Sequence, residues 1–419
     1  MAACGLDFGT SNTTLGHNGA AGPVLLPLEG EHLTIPSAIF FEPRRDPLVG
    51  RAATAAYVAG RPGRLMRGLK SVLGTPLIDE ATPVGRERLR LRDVIARYLA
   101  IVKARAEEAA GTTFDTVVHG RPVHFVDGDV EADRRAEDTL RAIAADVGFR
   151  HVTFQYEPIA AALDYERQVE REEIALIADI GGGTSDFSIV RLSPKRRRQA
   201  DRSADILAND GVRIGGTDFD RQLSLAAVMP LLGFGSAMKR GDLAVPGAYY
   251  HDLATWSAIN RLYDGKTLRE IDDVLRNCAR PDLVGRLRTA VEEERGHALA
   301  GIVEGAKITA SETGAASIDL ASIERGLVAA LDRAGLAAKT DGLARAVAAR
   351  VDACLTRAGL PAGRIDALFL TGGSTGLPHL RAALAASVPD ARIIAGDTFG
   401  SVGLGLTVAA GTLSAPAGA

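Results

Sequence analysis

Two short stretches of this chain carry residue types that could hold a phosphate and its metal. One is Gly5-Leu6-Asp7-Phe8-Gly9-Thr10-Ser11-Asn12; the other is Ala178-Asp179-Ile180-Gly181-Gly182-Gly183-Thr184-Ser185-Asp186. Each reads as an apolar strand, an Asp, a turn of Gly, Thr and Ser, and a polar residue entering a second strand (Thr13-Thr14-Leu15; Phe187-Ser188-Ile189-Val190). Glycine lets backbone N–H groups approach an anion with no Cβ in the way, and the hydroxyls add donors. A carboxylate repels a bare phosphate, so each Asp points to a Mg²⁺ or its water shell, the usual company of a nucleotide. Taken singly, either stretch is also an ordinary tight hairpin turn. Their repetition argues for two similar lobes facing one ligand.

Strands and helices alternate around these turns. Apolar spacing predicts helices over Leu89–Ala110 and Asp133–Val147 and a buried strand at Thr116-Val117-Val118-His119. Val152–Tyr156 reads as a strand ending at Glu157-Pro158, with proline well placed in the first turn of a helix reaching Arg167. Glu173–Ile180 is an apolar strand that opens the second half. Gly215-Gly216-Thr217-Asp218 is a turn starting a helix over Phe219–Val228. Further helices are expected over His297–Ser311, Ser322–Ala334 and Leu343–Arg357. The strand Ala367–Thr371 ends at Gly372-Gly373-Ser374, and the helix Leu377–Ala386, the strand Arg392–Ile394 and a helix from Ser401 follow. This alternation indicates α/β layers with parallel strands. Glu304, Lys307 and Ser311, at steps of three and four, share one helix face, which is either a ligand-facing row or a solvated stripe. Lys195-Arg196-Arg197-Arg198 reads as a solvated hairpin tip.

Bulk properties exclude several classes. The 419 residues suffice for two or more domain-sized cores, and 46% apolar with 24% charged residues is ordinary globular composition. A net charge of −3 gives no basic field and aromatics are only 5%, so no nucleic-acid partner is expected. Cys4, Cys278 and Cys354 lie far apart, without metal-ligand spacing or a disulfide framework. No signal peptide or membrane span is evident, so a cytoplasmic location and no membrane partner are expected. Gly372-Gly373-Ser374-Thr375-Gly376 fits the G-x-S-x-G nucleophile pattern, but only His379 follows it, with no room for a triad acid between. There is no G-x-x-x-x-G-K-[ST] and no H-E-x-x-H.

Together, the two Asp-containing phosphate turns, Glu157-Pro158 between them and the late Gly372-Gly373-Ser374 turn resemble the actin-like ATPase superfamily. Within it the chain resembles DnaK-type heat-shock chaperones and, more narrowly, their short YegD-type branch. Phe154-Gln155-Tyr156-Glu157-Pro158, Leu163-Asp164-Tyr165-Glu166, Arg213-Ile214-Gly215-Gly216, Met229-Pro230-Leu231-Leu232-Gly233 and Phe399-Gly400-Ser401-Val402 carry that likeness, which runs from about Gly5 to Leu406. The resemblance implies a duplicated ribonuclease H-like α/β fold with a nucleotide cleft between two lobes. Lobe I would be 1–172 with a subdomain at about 30–113. Lobe II would be 173–397 with a helical subdomain at about 217–340. Residues 398–419 would form a helix returning to lobe I and a frayed tail.

The same resemblance implies ATP or ADP with Mg²⁺ as cofactors and a slow hydrolysis. The catalytic set would be Asp7, Glu157, Asp179, Thr184 and Asp186, with Glu157 beside the attacking water, since water is a poor nucleophile and a carboxylate can orient it. Asp7, Asp179 and Asp186 would surround the metal, mainly through water. Gly9, Thr10, Ser11, Asn12, Gly181, Gly182, Gly183 and Thr184 would hold phosphates. Gly215 and Gly216 would pass close to phosphate or ribose. Glu304, Lys307 and Ser311 would contact ribose and adenine, and Gly372, Gly373, Ser374 and Asp397 would border the nucleoside. A client or co-chaperone protein would be the partner.

Departures bear on that expectation. The family lysine after a Val-Gly-x-Ala-Ala run is replaced, since Val49-Gly50-Arg51-Ala52-Ala53 is followed by Thr54; Lys70 is the nearest lysine that could substitute. Ile308 and Gly376 stand where the family has adenine-stacking arginines, which implies weaker or less adenine-selective binding. The sequence ends at Ala419 without the family's linker and peptide-binding domain. A small-molecule kinase of the same fold, a filament-forming relative and a nucleotide-binding pseudoenzyme remain alternatives.

Overall fold

The first turn sits in a hairpin. β1 (Ala3–Phe8) and β2 (Asn12–Gly19) run antiparallel with Asp7 opposite Thr14 and Leu6 opposite Leu15. The structure is a computed structural model that describes all residues except 1, 85–86, 127, 167–168, 197–198, 200, 241, 397–399 and 415–419. β3 (Gly22–Leu25) extends the meander, and β4 (Ile35–Pro36) pairs with the start of β2. β5 (Ala38–Phe41), β6 (Leu48–Val49) and β7 (Arg64–Arg67) form a small sheet packed by α1 (Arg51–Val58). β8 (Ala81–Val84) and β9 (Glu87–Arg90) form a separate hairpin. α2 (Leu91–Ala110) buries Val94, Ile95, Tyr98, Leu99 and Val102, the face its apolar spacing predicts. β10 (Thr116–Arg121) and β11 (His151–Tyr156) then add in parallel beside β1.

α3 (Val130–Asp146) separates those strands and starts a turn earlier than expected. Asp129 caps it by accepting from Ala132 N at 2.9 Å, while Asp133 is diverted to Arg121 and to the N–H of Phe125. α4 (Glu157–Glu166) follows β11 directly. β12 (Glu173–Ile180) and β13 (Ser185–Leu192) repeat the first hairpin around the second turn, with Asp179 opposite Asp186, and β14 (Ile206–Val212) extends it.

The next stretch is mostly helical: α5 (Gly216–Leu223), α6 (Ala248–Ala254), α7 (Gly265–Asn277), α8 (Pro281–Glu292) and α9 (Gly296–Thr313). The helix expected over Phe219–Val228 ends regularly at Leu223, passes through a wide turn at Ser224–Val228 and tightens at Met229–Leu232. Pro230 has no N–H to continue the ladder. The helix expected over Ser322–Ala334 is not present. β15 (Ala315–Asp319) and β16 (Val328–Asp332) form a hairpin there, burying Ile318 and Leu331. Gly326, at φ +82°, breaks any helix between them, and Asp332 caps the next helix by accepting from Gly335 N. That helix, α10 (Arg333–Ala358), therefore begins earlier than Leu343.

β17 (Ala367–Thr371), α11 (Pro378–Ser387), β18 (Arg392–Ala395) and α12 (Ser401–Ser414) complete the chain. The two large sheets share one plan. The first has the order β11-β10-β1-β2-β3 and the second β14-β13-β12-β17-β18. In each, a central strand pairs antiparallel with a meander on one side and parallel with two strands on the other. This is the α/β architecture of the actin-like ATPase fold.

Contacts divide the chain into two units. The first is Met1–Val212, Arg350–Thr375 and Ala385–Ala419, and holds both sheets; the second is Arg213–Ala349 and Gly376–Leu384. In the first unit, one core gathers β1, α2 and α3 side chains such as Phe8, Tyr98 and Leu140. A second joins Val118, α4, Ala175 and Ile177 of β12, Phe369 of β17, and Val402 and Leu406 of α12. α12 lies close on its neighbours. A Cβ at Gly405 would stand 1.8 Å from Ala160 O, and one at Gly5 would stand 2.3 Å from Thr407 N.

Candidate functional site

The two turns have the same internal bond. Gly9 N donates to Asn12 O and Gly181 N to Thr184 O, each at 2.9 Å, so Asp7 matches Asp179 and Thr14 matches Asp186. The turns also meet. A Cβ at Gly182 would lie 2.4 Å from Ser11 Oγ, so glycine lets the first turn come this close without Ser11 having to shift. Thr184 Oγ1 donates to Asp186 Oδ2 at 2.8 Å. The Gly372 turn closes on the second one. Gly372 has φ +84°, its Cβ would lie 2.4 Å from Ile180 O, and Ser374 Oγ donates to Gly181 O at 3.0 Å. Ser37 Oγ, in turn, donates to Gly9 O at 2.6 Å and braces the first turn.

Lys70 completes this constellation. β7 delivers it, on the tight turn Leu69–Val72, to Glu157 at the start of α4, where Nζ lies 2.5 Å from Oε1. Their side chains keep only 9% and 16% exposure, so the pair is largely shielded from solvent. Burial alone would lower the Lys70 ammonium, but Glu157, Asp7 and Asp179 outweigh it and hold its pKa above the ordinary value. Asp7 is pushed up to about 7 by burial and then by Glu157, with Lys70 pulling the other way. Asp179 is pushed up to about 8 by burial, then by Asp186, Glu157 and Asp7. Thr54 takes no part; it lies in α1 with its hydroxyl turned to Gly50 O.

This donor set fits a hydrated divalent cation. Its oxygens are hard, and two of its carboxylates resist ionising together without an added positive charge. Among the described residues no three His, Cys, Asp or Glu side chains converge closely enough to hold a metal directly. A hydrated Mg²⁺, which keeps several of its waters, would fit these carboxylates through that shell.

In the second unit, Gly215 precedes α5 and its N–H donates to Asp218 Oδ2 at 2.9 Å. Lys307 of α9 is buried rather than part of a solvated stripe. Its Nζ bonds Gly216 O at 3.2 Å and lies 2.8 Å from Asp220 Oδ1. Burial pushes Asp220 up to about 6, with Lys307 opposing. Ser311 Oγ donates to Lys307 O at 2.8 Å, and Glu304 is exposed. Asp397 lies outside the described residues. Sequence reasoning missed Asp220, which nothing in the sequence ties to Lys307.

Arg196 is no free hairpin tip; it pairs with Asp205 and with Glu172. Arg202, fully buried, joins Glu166 and Asp205 beside it.

No helix among the described residues is long and apolar enough to cross a membrane. Residues 78–228 match the family model described as Hsp70 protein. That span carries Glu157, Asp179, Thr184, Asp186, Gly215 and Gly216, and the duplicated α/β architecture around it is the one that actin-like and Hsp70 ATPases share.

Proposed function

We propose that this chain binds Mg-ATP and hydrolyses it slowly to ADP and phosphate, as a chaperone-like ATPase. The observation that carries this reading is the Lys70–Glu157 pair, set beside Asp7 and Asp179 where two like turns meet. Backbone N–H groups and hydroxyls of residues 9–12 and 181–184 cradle the phosphates. Lys70 faces the transferring phosphoryl group. Asp7, Asp179 and Asp186 would hold the cation through its water shell, and the cation would neutralise phosphate charge. Glu157 orients the attacking water and accepts its proton. The nucleoside contacts of Gly215, Gly216, Glu304, Lys307, Ser311, Gly372, Gly373, Ser374 and Asp397 belong to this reading. So do the lobes 1–172 and 173–397, the YegD-type likeness and a client or co-chaperone partner.

Calorimetric titration with ATP, with and without Mg²⁺, tests this when phosphate is followed in the same sample. Mg-dependent binding with slow phosphate release is the expected result. Tight binding without phosphate would make the protein a nucleotide-binding pseudoenzyme or a kinase awaiting its acceptor. Absence of binding would sink the reading.

A further inference from the structure

Both turns leave the same hydrogen bond unmade. Where two antiparallel strands close on a hydrogen-bonded pair, the two residues ordinarily exchange both backbone bonds. Gly9 and Asn12 make only one, from Gly9 N to Asn12 O at 2.9 Å, and Gly181 and Thr184 make only its counterpart, from Gly181 N to Thr184 O at 2.9 Å. The return bonds, from Asn12 N–H to Gly9 O and from Thr184 N–H to Gly181 O, are not formed, and neither N–H has another acceptor among the described residues. One open turn is commonplace. Two, open at matched positions, call for a cause.

A serine hydroxyl occupies the carbonyl in each case. Ser37 Oγ donates to Gly9 O at 2.6 Å, and Ser374 Oγ donates to Gly181 O at 3.0 Å. The duplication does not relate these serines, since Ser37 lies between β4 and β5 and Ser374 follows β17. Both are buried, so water does not compete for either hydroxyl. Ser37 is itself oriented. Its single proton goes to Gly9 O, so Thr13, whose Oγ1 is 2.9 Å from Ser37 Oγ, donates to it. The Ser37 N–H also donates to Ser11 O at 2.8 Å, so this residue holds two carbonyls of the first turn. The turns meet where Gly182 faces Ser11 Oγ, which puts the two unclaimed N–H groups in neighbouring loops. Backbone N–H groups gathered in this way suit an anion with several oxygens.

We propose that Ser37 and Ser374 are paired positioning residues, each drawing one carbonyl out of its turn so that Asn12 N–H and Thr184 N–H stay open as donors to the phosphates of a nucleoside di- or triphosphate. This deepens the nucleotide reading above and rests on it for the identity of the anion, but not for the state of the turns.

Two measurements test it. In Ser37→Ala, affinity for Mg-ADP by calorimetry should fall about ten- to hundredfold, the scale set by a hydrogen bond to a charged group, while affinity for adenosine stays unchanged. Equal losses for both ligands, or no loss for Mg-ADP, overturn the proposal. The second measurement needs no nucleotide. With its serine gone, each carbonyl can take the return bond. Asn12 N–H in Ser37→Ala and Thr184 N–H in Ser374→Ala should then exchange with solvent at least about tenfold more slowly than in the wild type, read residue by residue by NMR. Unchanged or faster exchange overturns the proposal, and either variant suffices should the other fail to fold. If the wild-type protein binds no nucleotide, the ATPase reading falls while amide exchange still judges the two serines.

Discussion

On the proposed ATPase reading Glu157 orients the attacking water, so its removal should be felt in rate rather than in binding. Glu157→Gln is expected to lower phosphate release by about 10²–10⁴ with ATP affinity preserved, measured by single-turnover assay and calorimetry. The buried aspartates predict a pH dependence of stability. Asp7 and Asp179 start from the ordinary value of 3.8 and rise to about 7 and about 8 in the folded protein. Folded carboxylates with raised pKa values contribute stability that is complete below about pH 4 and is lost as pH climbs through 7 to 8. Without Mg²⁺, the melting temperature should therefore decline over that window, and Asp179→Asn should flatten the decline. A flat wild-type profile would refute the electrostatics. Asp7, Asp179 and the glycines around them were legible because a turn writes its grammar locally. Lys70 was visible only as a substitute, because its meeting with Glu157 spans 87 residues and no spacing rule reaches so far.

Among the elements, α12 makes the least ordinary demand. In a solvent-exposed helix, Gly→Ala gains about 1 kcal/mol. At Gly405 the sign should reverse, because the new methyl meets Ala160 O at 1.8 Å; overpacking of this kind costs about 1–3 kcal/mol. Chemical denaturation of Gly405→Ala reads this directly, and a stabilised variant would mean that α12 can shift away from α4. The loop between β13 and β14 is held by charge instead. Arg202→Met would leave Glu166 buried without its cation and Asp205 with Arg196 alone, at a cost of about 3–5 kcal/mol by the same measurement. Strands with continuous apolar runs, β12 and β17, were read from sequence with the bounds they have. β16 was misread as part of a helix over Ser322–Ala334 because an alanine-rich strand looks helical by composition. Gly326 and the alternation of buried Leu331 with exposed Ala330 and Asp332 were the signals that should have prevailed.

For the molecule as a whole, the proposed nucleotide reading carries an expectation about base selectivity. Ile308 is 46% exposed and offers no guanidinium plane, and Gly376 has no side chain at all. Each lost cation–π contact forgoes about 0.5–2 kcal/mol. GTP is expected to compete with ATP to within about tenfold, and competition calorimetry showing a much larger preference would contradict this. The duplicated sheet plan also sets the order in which the protein can be made. α12 packs on β1, β2, β3 and β10, so the first sheet reaches its finished core only when residues 401–414 arrive. At about 5–20 residues per second, a nascent chain waits roughly tens of seconds with one face of that sheet uncovered. A protein proposed here to act in a chaperone-like way would thus spend its own synthesis exposing the kind of surface that other chaperones guard.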